Sequence, residues 1–124
     1  MGYCIHYALR EGMLAAAVSG KAGALQVERI AQDISAEAGR GTVKRVLIDV
    51  RGLSDRVGSL GALAMVRCAP ARMSGYRVAV VDAMENDAYY ALHEMAAQAH
   101  GYVLRCFSSV ADALRWLRSA PGRD

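Results

Sequence analysis

Proline is nearly absent, with Pro70 and Pro121 the only two in 124 residues. Together with 54% hydrophobic and 22% charged side chains, this scarcity excludes a disordered or low-complexity chain and leaves a folded globular one. The length suits one domain able to bury its own core, expected over residues 1–120 with 121–124 as a loose tail. Cysteine is also sparse. Cys4, Cys68 and Cys106 are odd in number, scattered and without CxxC spacing; two of them fall in runs that read as buried strands, so a reduced, cytoplasmic chain is expected rather than a disulfide framework. Charge of one sign is not concentrated anywhere. Fifteen basic and twelve acidic residues give a net charge of +3 spread along the chain, with no tail for nucleic acid and no polybasic anchor. No segment approaches the roughly 20 apolar residues of a membrane span. The start, MGYCIHYALREG, alternates instead of following a signal-peptide layout.

The motifs of common chemistries are missing as well. Gly20-Lys21-Ala22-Gly23 has a Lys between glycines before a helix, but GxxxxGK[ST] is incomplete and GxGxxG does not occur. Glycine used for positive φ accounts for that loop. His93-Glu94-Met95-Ala96-Ala97 starts like a zinc-protease helix and puts Ala where the second ligand must stand. His93 and His100 would lie about 10 Å apart along a helix, too far to share one metal. Ser59, Asp82 and a histidine follow a hydrolase order, yet no GxSxG elbow surrounds Ser59, whose simpler role is a helix N-cap. No cofactor, no metal and no enzymatic activity are therefore expected.

Periodicity supplies the positive content. Tyr3–Leu9 and Met13–Ser19 alternate around Arg10-Glu11-Gly12 and read as a hairpin. From Ala24 to Ala38, Val27, Ile30, Ala31, Ile34 and Ala38 form one helical stripe, closed by Gly39 and Gly41. Val43–Val50 is nearly continuous apolar after Lys44-Arg45, as a parallel strand covered on both faces should be. A helix over about 59–69, a strand over Tyr76–Val81, a helix capped by Asn86 or Asp87, a strand over Tyr102–Phe107 and a helix opened by the capping-box-like Ser109-Val-Ala-Asp112 complete the chain. The order is β-β-α-β-α-β-α-β-α, a single α/β domain with a mixed five-stranded sheet and helices packed on it.

The segment VLIDVRGLSDRVGSLGAL, residues 46–63, leads from a buried strand through a Gly/Ser-rich turn into a helical pattern. With the element order and the closing ADALRWL, it resembles STAS domains and the related SpoIIAA-like proteins. In that family an Asp closes the strand and Asp-Ser-Ser-Gly-Leu-Gly opens the helix. Asp49 matches the strand-end Asp and Leu60-Gly61 the Leu-Gly, while Arg56, Val57, Gly58 and Ser59 stand at the Asp-Ser-Ser-Gly positions. The family's regulatory serine thus falls on Gly58, which has no hydroxyl. Ser59 is one residue late, about 100° around a helix. The resemblance implies a non-enzymatic regulatory module that binds a partner protein through the loop and helix start at 54–63, with Arg51, Ser54, Asp55, Arg56, Gly58 and Ser59 as the contact residues.

The fold's relation to SEC14/CRAL-TRIO domains implies an alternative, a pocket for a small apolar ligand or lipid. Asp49 and Asp82, expected at the carboxyl ends of parallel strands where open α/β sheets bind ligands, and Met84 and Tyr89 as adaptable apolar residues, are its candidate lining. Asp49 and Asp82 otherwise cap nearby N–H groups. Arg51, Arg56, Arg67, Arg72 and Arg77 gather in sequence around this region, as a solvated face or as a surface for an acidic or phosphate-bearing partner. Nucleic acid is not expected, because no recognition motif or aromatic interleaving accompanies them. No stable membrane insertion is expected, and a homo-oligomer is compatible with the sequence.

Overall fold

A two-residue connection ending in Gly12, at φ 75°, folds strand β1 (Tyr3–Arg10) back onto β2 (Met13–Lys21). The pair is antiparallel with Arg10 opposite Met13 and Tyr3 opposite Gly20. This is the expected hairpin, with β2 continuing two residues beyond Ser19, so Gly20 and Lys21 belong to the strand and not to a loop. Gly20 does take a positive φ of 108°, and a Cβ there would strike the backbone of Gly2 and Tyr3. The computed structural model describes residues 2–10, 12–21, 24–40, 43–54, 75–82 and 101–119. The expected helices over 59–69 and 86–100 and the tail at 121–124 lie outside the described residues.

Helix α1 (Ala24–Arg40) follows. Ile30, Ile34 and Ala38, one turn apart, are buried, while Gln26, Arg29, Gln32 and Asp33 remain exposed. That spacing places one stripe against the sheet. The helix runs through Gly39 rather than ending there. Its end is held by Tyr76, whose buried hydroxyl donates to the Ala38 carbonyl at 3.2 Å, one of the four that a helix C-terminus leaves without an internal partner.

Strand β3 (Arg45–Ser54) is parallel to β2, β4 (Arg77–Val81) is parallel to β3, and β5 (Val103–Phe107) is parallel to β4. The sheet order is β1-β2-β3-β4-β5. Every residue of β4 is buried, because this strand is covered on both faces. Leu14, Ala16, Val18, Val46, Ile48, Val50, Val78, Val80 and Leu104 point towards α1. Met13, Leu47, Ala79 and Val81 point the other way, against Ala113 and Leu117 of helix α2 (Val110–Arg118). Helices therefore lie on both faces of a mixed sheet, and alternation along each strand sorts the two cores.

Ser109 caps α2: its Oγ accepts the Asp112 N–H at 3.1 Å. The reciprocal half of a capping box is not what Asp112 provides. Its shorter side chain is engaged by Arg115, Nη1 to Oδ1 at 3.1 Å. Replacing Ser109 with Ala should cost about 1 kcal/mol, read from the urea midpoint, through loss of this one cap.

Arg77 corrects the expectation of a solvated arginine face. It is only 5% exposed and reaches the end of α2, donating from Nη1 to the Ser119 carbonyl at 3.1 Å and from Nη2 to the Trp116 carbonyl at 2.9 Å and the Ser119 hydroxyl at 3.0 Å. Its guanidinium carbon lies 4.2 Å from the centre of the Trp116 ring. A cation at a helix C-terminus complements both the orphan carbonyls and the dipole. Cys4 is likewise not in a buried strand; it is exposed on β1.

Candidate functional site

β3 is longer than its apolar run. It starts two residues after Val43, ends four residues beyond Val50, and puts Asp49 inside the strand rather than at its end. The reason is a bulge. Asp49 pairs with Ala17 and Gly52 with Ser19, so Val50 and Arg51 together oppose the single residue Val18. Pairing with β4 stops at Asp49 opposite Val81, whereas pairing with β2 continues to Ser54 opposite Lys21. The end of β3 thus projects past β4 with β2 as its hydrogen-bonded neighbour.

Asp49 holds the bulge in shape. Its Oδ1 accepts both the backbone N–H of Arg51 at 3.1 Å and Nε at 3.0 Å, and Oδ2 accepts Nη2 at 2.8 Å. The two-pronged pairing fixes the planar guanidinium more tightly than a point contact would. Hydrogen bonding from the Arg51 side chain holds the Asp49 carboxyl below its ordinary value, against desolvation and the nearby charge of Asp82, which push it up. The Arg51 guanidinium is raised in turn, first by the same hydrogen bond. A depressed carboxyl pKa means the clasp stabilises the fold above the ordinary carboxylate range and is lost as pH falls through the lowered value.

The clasp borders an open depression of about 400 Å³ lined by His6, Ala17, Val18, Ser19, Asp49, Arg51 and Gly52. Gly52 makes the close approach of β2 and β3 here. A Cβ on it would come to 3.0 Å of the Ser19 Cβ and 3.1 Å of the Val18 carbonyl oxygen. A smaller hollow of about 90 Å³, between β2 and α2, is lined by Arg10, Met13, Ala15, Leu47, Leu114 and Arg118.

The structure brings Arg51 and Asp49 together and places Ser54 at the last position of β3. Asp82 follows β4 directly, as expected; it is fully buried, and its N–H donates to the Phe107 carbonyl at 2.9 Å. Asp55, Arg56, Gly58, Ser59, Met84 and Tyr89 lie outside the described residues. His6, Ser19 and Gly52 were not among the sequence candidates. Their signal was the alternation of β1 and β2, which puts His6, Ala17 and Ser19 on one face, but finding them required the pairing of β2 with β3. Among the described residues, no group of three His, Cys, Asp or Glu side chains is arranged to hold a metal ion, and no helix is long and apolar enough to cross a membrane.

Two solved structures share the fold over nearly their whole length. An uncharacterised DUF3478-family protein with a SpoIIAA-like fold from Shewanella loihica PV-4 superposes with a TM-score of 0.52 at 21% identity, covering 94% of each chain. The second is an anti-sigma factor antagonist from Mycobacterium paratuberculosis, with a TM-score of 0.59 at 14% identity over 95% of this chain and 96% of that one. The chain has the STAS/SpoIIAA-like fold. No protein-family model matches the sequence, and no curated protein does. At these identities the likeness carries the SpoIIAA-like architecture and leaves the activity to the residues of the site.

Proposed function

We propose that this SpoIIAA-like domain is a non-enzymatic regulatory module of the cytoplasm that binds a partner protein through residues 54–63, the segment that begins at the end of β3. The observation that carries this reading is the Asp49–Arg51 clasp. An exposed arginine is fixed by a carboxylate on a projecting strand end, three residues before the segment begins. Pre-orienting a long side chain removes much of the entropy lost on association, which is how interfaces turn a surface charge into a specific contact. The likeness to an anti-sigma factor antagonist supports the same use of the fold. Ser54 closes the strand, Arg56 adds a second positive charge in sequence, and Asp55, Gly58 and Ser59 complete the contact segment. With Gly at 58, this regulation does not run through a serine at that position.

The test is recovery of partners from source-cell lysate with native bait and with bait carrying Arg51→Glu and Arg56→Glu, compared at matched thermal stability. Reversing both charges should lower recovery at least about tenfold, equivalent to about 1.4 kcal/mol. Equal recovery from both baits would remove this surface from the reading. The alternative, a small hydrophobic ligand near Asp49, Asp82, Met84 and Tyr89, predicts a lipid-mass adduct in native mass spectrometry of the same purified protein.

A further inference from the structure

Among the described residues, the first strand leaves half of its backbone groups without a strand partner. β1 stands at one edge of the sheet, and the Lys21 N–H donates to the Gly2 carbonyl at 3.0 Å. In an antiparallel ladder only every second pair exchanges hydrogen bonds. With Gly2 opposite Lys21 as such a pair, the register places Cys4, His6, Ala8 and Arg10 in the bonded positions with β2. The N–H and C=O groups of Tyr3, Ile5, Tyr7 and Leu9 therefore point outward, away from β2. The usual protections of an edge are missing over these positions: β1 contains no proline, no lysine and no bulge. The two large hydrophobic side chains exposed among the described residues, Tyr7 at 37% and Leu9 at 72%, both lie on this strand and on one of its faces.

We propose that this edge pairs with the same edge of a second copy of the chain, antiparallel about a two-fold axis through His6. Opposing residues must then sum to twelve, which keeps the outward groups in bonding pairs. Tyr3 meets Leu9 of the second copy, Ile5 meets Tyr7, and His6 meets its own equivalent between them. This register buries Leu9 and Tyr7 against the partner's Tyr3 and Ile5, neither of which is fully covered in the single chain. Arg10 falls outside the overlap, so no like-charged arginines are forced to face one another.

The register is complementary to itself when reversed, which is what an isologous interface requires: each outward pair sets an exposed Tyr7 or Leu9 of one copy against a half-covered Ile5 or Tyr3 of the other. The result is a continuous ten-stranded sheet. The end of β3 at 51–54, in the middle of the sheet, is not used in this pairing.

The register supplies its own test. Cys4 comes opposite Ala8 of the second copy at a non-bonded pair, where Cα atoms stand about 4.5 Å apart, within disulfide reach. Inside one strand, positions 4 and 8 are about 13 Å apart and cannot be bridged. Under mild oxidation, the full chain carrying Ala8→Cys should run as a covalent dimer on non-reducing gels, and peptide mapping should find the bond between positions 4 and 8. Sedimentation of the unmodified chain should show a concentration-dependent dimer, and Tyr7→Lys should raise its dissociation constant at least tenfold with the melting temperature unchanged. A chain that stays monomeric at high micromolar concentration overturns the proposal. So does a dimer that ignores Tyr7→Lys and forms no 4–8 bond, since its interface would lie elsewhere. If Tyr7→Lys fails to fold, the Ala8→Cys cross-link decides alone.

Discussion

Replacing Arg77 with Met should lower the free energy of unfolding by about 3 kcal/mol, because three hydrogen bonds from a buried cation to a helix end would be lost. Loss of the guanidinium over the Trp116 ring adds to the penalty. Arg77→Lys should recover only part of it, since an ammonium keeps the charge but cannot span both carbonyls and the Ser119 hydroxyl as the fork does. Trp116 is the one tryptophan in the chain. Its fluorescence therefore reports directly on the end of α2, and Arg77→Met should shift the native emission to the red along with lowering the urea midpoint. A Met variant as stable as the parent, with unchanged emission, would show that α2 docks without this tether.

Arg77 also marks where sequence reading stops. A charge at the start of YRVAVV, near four other arginines, reads as solvent-facing because nothing local reveals the acceptors 39 and 42 residues away at Trp116 and Ser119. The apolar periods were legible for the opposite reason. Ile30, Ile34 and Ala38 repeat at helical spacing, and the alternation of β1 and β2 and the unbroken apolar run of β3 are each contained in a short window. The hairpin, α1, the three parallel strands and α2 accordingly fall where those patterns put them, to within a few residues at the ends.

The site divides along the same line. Asp49 and Arg51 are both candidates in the sequence, Asp49 as a strand end and Arg51 as a contact residue, and nothing local joins them. A bulge depends on the register between two strands, and a polar Asp after VLI looks locally like the end of a strand. Gly52 reads as part of a Gly/Ser-rich turn. In the structure it continues β3, and its missing side chain lets Ser19 and the Val18 carbonyl approach. Three breaks in apolar character within four residues, at Arg51, Gly52 and Ser54, conceal a strand whose later half has one bonded neighbour among the described residues.

Ile30→Ala should be the complementary perturbation, large for the fold and silent for the proposed surface. Ile30 is 1% exposed and, with Leu117, is among the bulkiest fully buried side chains of the described residues, packed in the core between α1 and the sheet. Truncating it removes buried methyl groups and leaves a cavity that a five-stranded sheet cannot collapse to fill, a loss of about 3 kcal/mol and roughly 10 °C in melting temperature. The face it supports is opposite the one carrying Asp49 and Arg51, because Val46, Ile48 and Val50 point to α1 while Leu47 points to α2. Below its own melting transition, Ile30→Ala bait should therefore recover partners from lysate as well as native bait does, whereas the Arg51→Glu and Arg56→Glu bait should melt only slightly lower, through loss of the exposed Asp49–Arg51 clasp, and lose them while still folded. Loss of partner recovery by Ile30→Ala at temperatures where it remains folded would mean that binding is read through the packing of α1, and would move the interface away from the projecting end of β3.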